Sequence, residues 1–570
     1  MSKTILKFIP PILLGISLGL LSLLFGRTVE VTLAAINQAT VFTPEPDDIS
    51  IVSTYYYPTS ESPKPLPLEK NSSVHEFPPD PDDVAIVSTY FYPTSGSLGN
   101  NSIAMVLTAH YDALYRIGGL QLLGISSNDN VVKHAPLERI TPHNICPWIS
   151  MFLTIQMLPD LKSLSIILGE KYYQIPFKTV SYQKREVVTC ISPLFGNEQW
   201  QYLLLAAHVY KRYGSFMHVY VRSMVDPVYK LLLEYEKEDY LKLEPWLRLN
   251  LTTVPIYEYN PNINIEFRGQ ASAQTDCLLQ YKESAKFISF MDLDDLLIPR
   301  MADNYAAEFE MLFNIEQLRV NREKKKNEME MLQNSSTQAQ KTSSPILQTK
   351  KTVAFLHFSK ENVHVESTFD PVKFSIAKMF SSMYFKNVNE TGKMVTKPKY
   401  FNHTWIHWPS VLPEGLIRFD VPKTRNAITH LKVLDQDLED QEATLKVPAY
   451  LEDGSTKPLI NSEVVKELQK DFERMKQKAP IRGIWNKLPQ TFFYLDLITA
   501  CFNHTFYRYH YGGRHDLMKC PGPDRCRLPK TPGIPCANAR ADFSSSRGGT
   551  VINIHYPKRP RFVIEDGCIP

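Results

Sequence analysis

Residues 287–300 read FISFMDLDDLLIPR, a short aromatic and aliphatic run that breaks into an acidic cluster. Such a run, bounded by polar residues, predicts a buried strand that ends at the aspartates. Just upstream, residues 270–285 carry Cys277, Leu278, Tyr281 and Ala285 at helical spacing, which predicts a helix feeding that strand. Further back the same alternation recurs. VVTCIS at 187–192 reads as a strand, and residues 197–213 as a helix with Trp200, Leu203, Leu204 and Ala207 inward and Gly214 as its stop. MHVYV at 217–221 reads as a second strand, Asp226-Pro227 as the N-cap and first turn of a helix, and VPIYEY at 254–259 as a third strand. Alternating strands and helices predict an α/β fold, a Rossmann-like and mostly parallel sheet. In such sheets ligands bind beyond the carboxyl ends of the strands, which is where the DLDD cluster falls.

Two carboxylates one residue apart at a strand end suit a hard divalent cation, Mn²⁺ or Mg²⁺, that shares its remaining positions with phosphate oxygens. Asp292 and Asp294 are the metal candidates, and the cation would stabilise the charge that grows on a departing diphosphate. Asp295 is a candidate for a hydrogen bond to the ribose or sugar of a nucleotide sugar. Two other readings compete. The cluster could be an acidic turn that caps a helix, or the start of an aspartate-nucleophile phosphatase motif, DxDx[TV]. Leu296 stands at the fifth position, where that motif requires Thr or Val, and the cluster follows several βα units instead of opening the domain.

The rest of the chain sets the compartment. With 63 basic and 60 acidic residues the formal charge of the 570 residues is +3, so no basic footprint for nucleic acid exists. Residues 8–25, FIPPILLGISLGLLSLLF, are uncharged and long enough for a membrane span; Lys3 and Lys7 before them predict a cytoplasmic N-terminus and a luminal body. A cleaved signal peptide is the alternative, with Ala34 and Ala35 as small residues downstream. Sequons at Asn71, Asn100, Asn250, Asn334, Asn389, Asn402 and Asn503 agree with a secretory route. So do eight cysteines, of which Cys520, Cys526, Cys536 and Cys568 crowd the tail without metal-site spacing; their pairing does not follow from sequence. PDDISIVSTYYYPTS from Pro46 recurs as PDDVAIVSTYFYPTS from Pro81, the first copy in Pro/Ser-rich surroundings and the second leading into an apolar segment. The expected organisation is a cytoplasmic tail (1–7), an anchor (8–26), a stem (27–80), an N-terminal luminal subdomain (81–186), an α/β domain (187–435) with a mobile surface insertion (317–351), and a C-terminal extension with a Cys-rich tail (436–570).

Four segments in order, VVTCISPLFGNEQW from Val187, HVYVRSMVDPVYKLLLEYE from His218, NPNINIEFRGQASAQTDCLLQYKESAKFISFMDLDDLLIPR from Asn260 and GKMVTKPKYFNHTWIHWP from Gly392, resemble glycosyltransferase family 92, a group abundant in nematodes. The resemblance covers roughly residues 187–433 and is far more specific than the acidic motif alone. It implies a metal-dependent, inverting transferase of GT-A fold, which with the anchor and the sequons makes a type II Golgi membrane enzyme the expectation. The transfer implied is of galactose from UDP-galactose onto a glycan acceptor such as core fucose of N-glycans, β1,4-linked. By the same resemblance Asp292 and Asp294 match the metal motif, Arg268, Gln270 and Asp276 precede it where nucleotide contacts are expected, and His430 is the candidate third metal ligand, with His407 its rival. Trp405 and Trp408 are candidates for a sugar-stacking wall. An inverting transfer needs a carboxylate base near the acceptor hydroxyl, for which Glu414, Glu366, Asp370 and Asp420 are candidates that the sequence does not rank. The reading from another class is a non-catalytic luminal or surface protein that keeps the fold as a glycan-binding or interaction module.

Overall fold

The structure, a computed structural model, describes residues 83–335, 351–435, 459–529, 531–548 and 552–570, together with the short strands Thr40–Val41, Ala449–Tyr450 and Thr456–Lys457. The expected tail and anchor, nearly all of the stem and the first copy of the repeat lie outside the described residues. Among the described residues no helix is long and apolar enough to cross a membrane.

The second copy of the repeat forms β1 (Asp83–Tyr92), which pairs antiparallel with β2 (Ser102–His110), itself antiparallel to β3 (Trp148–Gln156). Alternating side chains send these strands into two cores. Ile103, Met105 and Leu107 face one, Ala104 and Val106 the other, and all five are fully buried. A strand apolar on both faces is stable only between two layers, and each fully buried aliphatic side chain contributes roughly 1.5–3 kcal/mol.

The α/β region then runs β4 (Arg185–Leu194), α1 (Trp200–Arg212), β5 (Ser215–Val221), α2 (Asp226–Lys237), β6 (Leu241–Pro245), α3 (Gln270–Tyr281), β7 (Ala285–Met291) and β8 (Asp295–Leu297). It continues through α4 (Tyr305–Ser335), β9 (Thr352–Glu366), β10 (Tyr384–Thr396), β11 (Leu416–Val421) and β12 (Ile428–Asp435). The nine strands order as β6-β5-β4-β7-β10-β9-β12-β8, with β11 beside β9. Strands β6, β5, β4 and β7 are parallel, and β10 joins β7 antiparallel. Phe287, Ile288, Phe290 and Met291 of β7 are fully buried, as an interior strand covered on both faces requires.

Three local expectations are corrected. Asp226 is the first residue of α2 instead of its cap, and its carboxylate pairs one turn on with Lys230 at 2.6 Å. Residues 254–259 form turns that expose Ile256 and Tyr257, because Pro255 cannot donate to a ladder; the third parallel strand is β6. Helix α4 continues through Ser335, so the charged segment from Gln317 onward is helical that far, held by pairs such as Arg319–Glu316 and Arg319–Glu323; residues 336–350 lie outside the described residues.

The C-terminal region returns to both sheets. Helices α5 (Ser462–Lys476), α6 (Ala479–Trp485) and α7 (Tyr494–Phe502) pack on the α/β core through Phe472, Trp485 and Phe502. The hairpin of β13 (Pro535–Gly548) and β14 (Ile552–Asp566) then enters the first sheet, with β14 parallel to β1 and β13 paired with Ser223–Val225. At this seam Asp83 Oδ1 accepts from Asn553 Nδ2 at 2.9 Å and lies 2.8 Å from His555 Nε2. Four disulfides, Cys146–Cys520, Cys190–Cys277, Cys501–Cys526 and Cys536–Cys568, use all eight cysteines. Only the last joins two of the four crowded tail cysteines.

Candidate active site

The strand order places a switch point between β4 and β7: from β4 the chain steps outward to β5 and β6, then returns through α3 to the other side of β4. Helices leaving the two neighbouring strands diverge there and open a crevice beyond the carboxyl ends. A cleft of about 280 Å³ lies at that point. Ser192 at the end of β4 and Asp292, Leu293 and Asp294 after β7 line it, as do residues 195–199 and Arg268. Its far wall comes from Leu495, Ile498, Phe502, Tyr507 and Tyr511, in α7 and the helical turns after it, within the segment expected as a C-terminal extension.

The DLDD turn closes on itself: the Asp295 amide donates to the Asp292 carbonyl at 3.1 Å, and the Asp292 amide to Asp295 Oδ2 at 3.2 Å. Asp295 then opens β8, whose antiparallel register with β12 sets it opposite His430. His430 Nδ1 lies 2.9 Å from Asp295 Oδ1 and 3.9 Å from Asp294 Oδ2. An ionised carboxylate only accepts, so Nδ1 carries the hydrogen in this arrangement and would have to give it up to ligate a cation. On its other edge Nε2 is 3.5 Å from Glu390 Oε2 on β10, and Glu390 also accepts from Asn362 Nδ2 at 3.2 Å. Asp294, Asp295 and His430 are all buried and bring three ligand atoms within 4.8 Å of one another.

Asp292 is anchored differently. Gln270 Nε2 donates to Asp292 Oδ1 at 2.8 Å and to Ser192 Oγ at 2.6 Å, tying the turn to the end of β4. Lys393 Nζ lies 2.9 Å from Asp292 Oδ2, and Lys360 Nζ 2.9 Å from Asp295 Oδ1; neither lysine is exposed. Burial opposes ionisation of Asp292 and Asp295, but these ammonium groups outweigh it and hold both carboxyls below the usual range. Burial likewise opposes the charge on Lys360, and the three aspartates more than restore it. Asp294 is the exception. Burial pushes its carboxyl up, His430 offsets only part of that, and its Oδ2 has no hydrogen-bond partner. A buried carboxylate oxygen left this way, beside a second carboxylate and an imidazole, has the donor chemistry that a hard divalent cation completes.

The other candidates fall in three places. Arg268 lines the cleft, its guanidinium 4.9 Å above the Phe195 ring, and its backbone (φ 65°), like that of Phe267 (φ 40°), lies in the left-handed region. Gln270 sits one layer behind, and Asp295 and His430 are enclosed beneath the turn. Asp276 faces away, accepting from Tyr90 OH at 2.9 Å and Tyr220 OH at 2.5 Å and bordering a separate cavity. Glu414, Glu366, Asp370 and Asp420 do not line the cleft; Asp420 pairs with His357 and Arg418. His407 Nδ1 lies 2.8 Å from the Gly392 carbonyl and, with burial depressing its pKa, stays neutral in the core beside Trp405 and Trp408. Both tryptophans are buried, so the aromatic wall of the cleft is Phe195, Phe502, Tyr507 and Tyr511 instead. Sequons at Asn100, Asn250 and Asn503 are exposed and Asn402 is partly so; Asn334 and Asn389 lie within α4 and β10, and Asn71 is outside the described residues.

Glu198 is a cleft residue that the sequence reading missed, although GNEQW directly after a strand was the available signal. Its carboxylate accepts from the amides of Phe493 (3.0 Å), Tyr494 (2.7 Å) and Leu495 (3.3 Å), the unsatisfied donors at the start of α7. Burial raises its pKa to about 7 despite those donors.

Comparison with known proteins gives one consistent result. Residues 185–476 match the profile described as glycosyltransferase family 92. The chain is 37% identical over 475 residues to glycosyltransferase family 92 protein F13G3.3 of Caenorhabditis elegans, covering 83% of this chain and 87% of that one. It is 36% identical over 480 residues to protein C33H5.2 of the same family and organism, with the same coverage. Protein F59C6.8 is similar at 30% over 421 residues, 72% of this chain and 73% of its own.

Proposed function

The chain belongs to glycosyltransferase family 92, and on that premise we propose that it is a metal-dependent, inverting hexosyltransferase that uses a UDP-sugar, UDP-galactose by family analogy, and a glycan acceptor such as core fucose of N-glycans. The observation that carries this reading is Asp294: a cleft-lining carboxylate with an unpartnered oxygen, at the switch point of a parallel sheet, beside Asp295 and His430. The strand order β6-β5-β4-β7 supports a GT-A type sheet. Residues 8–26 and the sequons support a type II Golgi membrane protein with a luminal body.

Asp294, with Asp295, His430 and the adjacent Asp292, would hold Mn²⁺ or Mg²⁺; when bound, that cation supplies Lewis-acid stabilisation of the leaving diphosphate. Arg268 faces the same cleft and adds a fixed positive charge toward the phosphates. Gln270, bridging to Ser192, fixes the first aspartate. Leu495, Ile498 and Phe502 wall the cleft from water, which strengthens these charges. The reading is tested by assaying the full-length protein with a panel of UDP-sugars and a glycan array, with and without Mn²⁺. Transfer that needs Mn²⁺ and is lost in Asp294→Ala supports it; no transfer or hydrolysis of any UDP-sugar, with donor binding unchanged in the variant, refutes it.

One observation favours a second reading, a non-catalytic interaction protein: Lys360 and Lys393 already neutralise two of the three aspartates. Calorimetry separates the two, since an interaction protein shows no Mn²⁺-linked UDP affinity.

A further inference from the structure

Beyond the candidate active site, a second and larger cavity of about 510 Å³ lies between the first sheet and the ends of β5 and β6. It touches the first cavity at a single residue, Arg268, whose guanidinium faces Phe195 while its carbonyl accepts from Trp246 Nε1 at 2.6 Å on the other side. The left-handed stretch 267–269 is therefore the wall between the two.

The lining is unbalanced in charge. Lys178, Arg222, Arg248, Lys558 and Arg559 line it against two carboxylates, Glu244 and Asp276, and Arg559 is paired with Asp542 outside the lining. Arg222 and Arg248 share one counter-ion, the buried Asp524. Arg222 is 2% exposed, and its Nε has no hydrogen-bond partner. Thr89 Oγ1, on a side chain 4% exposed, borders the cavity without a partner as well. Buried donors of this kind are rare unless a ligand or ordered water completes them.

The two carboxylates narrow the ligand class. Glu244 already receives Lys178 at 3.0 Å and Lys242 at 2.8 Å, and Asp276 receives two tyrosine hydroxyls, yet each carboxylate offers about four lone-pair sites. They can accept further hydroxyl hydrogens but repel a bare anion. A ligand that satisfies both halves of the lining carries hydroxyl donors and an anionic group on one frame, and the rings of Phe177, Phe543 and Tyr556 offer it apolar contact.

We infer that this cavity is a second ligand site that takes an acidic saccharide, a sugar bearing a carboxylate or a sulfate. The carboxylate or sulfate meets the arginine and lysine side, where planar guanidinium groups favour oxyanions. The hydroxyls meet Glu244 and Asp276. Nothing in this inference depends on the cation or on the UDP-sugar reading of the first cleft.

The test is calorimetry on the full-length protein with 3′-sialyllactose, sulfated lactose, neutral lactose and UDP. The expected result is binding of one or both acidic sugars, weakened by salt, and no binding of lactose. The double variant Lys558→Ala, Arg559→Ala alters two exposed side chains and should bind the acidic sugar about ten-fold more weakly while UDP binding is unchanged. Should that variant be poorly folded by circular dichroism, Lys178→Gln serves the same purpose. If neither acidic sugar binds, if lactose binds equally, if UDP competes for the same site, or if a folded variant binds as the unaltered protein does, the inference is wrong. The sialylated and sulfated arms identify which anion the site prefers.

Discussion

Asp294 combines a stability cost with the chemistry the cleft needs. Its carboxyl is pushed up by burial and only partly compensated by His430, whereas Asp292 and Asp295 each have a lysine in contact. Asp294→Asn should leave the fold as stable or more so, by about 1 kcal/mol, while abolishing Mn²⁺-linked UDP affinity; urea midpoints and calorimetry read the two effects separately. Lys360→Met should do the opposite to stability. It strands Asp295 beside His430 without its ammonium and should cost about 3–5 kcal/mol in a urea melt. At this scale the acidic spacing after an apolar run pointed to Asp292 and Asp294 and the family resemblance to Arg268 and His430, and the fold brings these four to one end of the sheet. Neither signal pointed to Lys360, Lys393 or Glu390. Each is an ordinary polar residue in its own segment, and only the pairing of β9, β10 and β12 brings them to the turn.

Among the elements, α7 decides the shape of the cleft, and Glu198 holds its first turn. Burial raises the folded Glu198 pKa from 4.5 to about 7. Stability from this group is therefore full below about pH 4.5 and is lost as pH rises toward 7, by up to about 3 kcal/mol. In Glu198→Gln that slope should vanish, so urea midpoints of the variant and the unaltered protein should diverge between pH 5 and 7. The same wall is pinned by Cys501–Cys526. Replacing both by Ser should cost about 3 kcal/mol from the unfolded-chain entropy of a loop this long, and should weaken UDP binding as α7 loosens, which denaturation and calorimetry would show. Strands β4, β5 and β7 and helices α1 and α3 were legible from periodicity; β6 was not, since LKLEP is short and half polar. Nor was the role of α7, because nothing local says that residues 494–511 fold back over residues 195–199.

For the whole molecule, the C-terminal hairpin closes onto the sheet that opens at Asp83. β14 pairs with β1, and Cys520 bonds Cys146 across 374 residues. The family match at 185–476 thus omits β1 to β3, α7 and the β13–β14 hairpin, and with them one wall of the cleft and the second core. Expressed alone, that segment should elute as aggregate in size-exclusion chromatography, while a chain that retains residues 83–570 should elute as a folded species, since bare sheet edges and an exposed apolar face favour association. Long-range pairing of this kind leaves no periodic trace, so the sequence reading divided into separate units what the structure joins in one sheet.

The central claim, that Asp294 and its neighbours complete a divalent-cation site for a UDP-sugar, is tested most directly by titrating UDP into the full-length protein by calorimetry with Mn²⁺ and with chelator, for the unaltered chain and for Asp294→Asn. The account predicts UDP binding that requires Mn²⁺ in the former and is absent in the latter. Equal UDP affinity with and without the metal, or an unchanged affinity in Asp294→Asn, would contradict it.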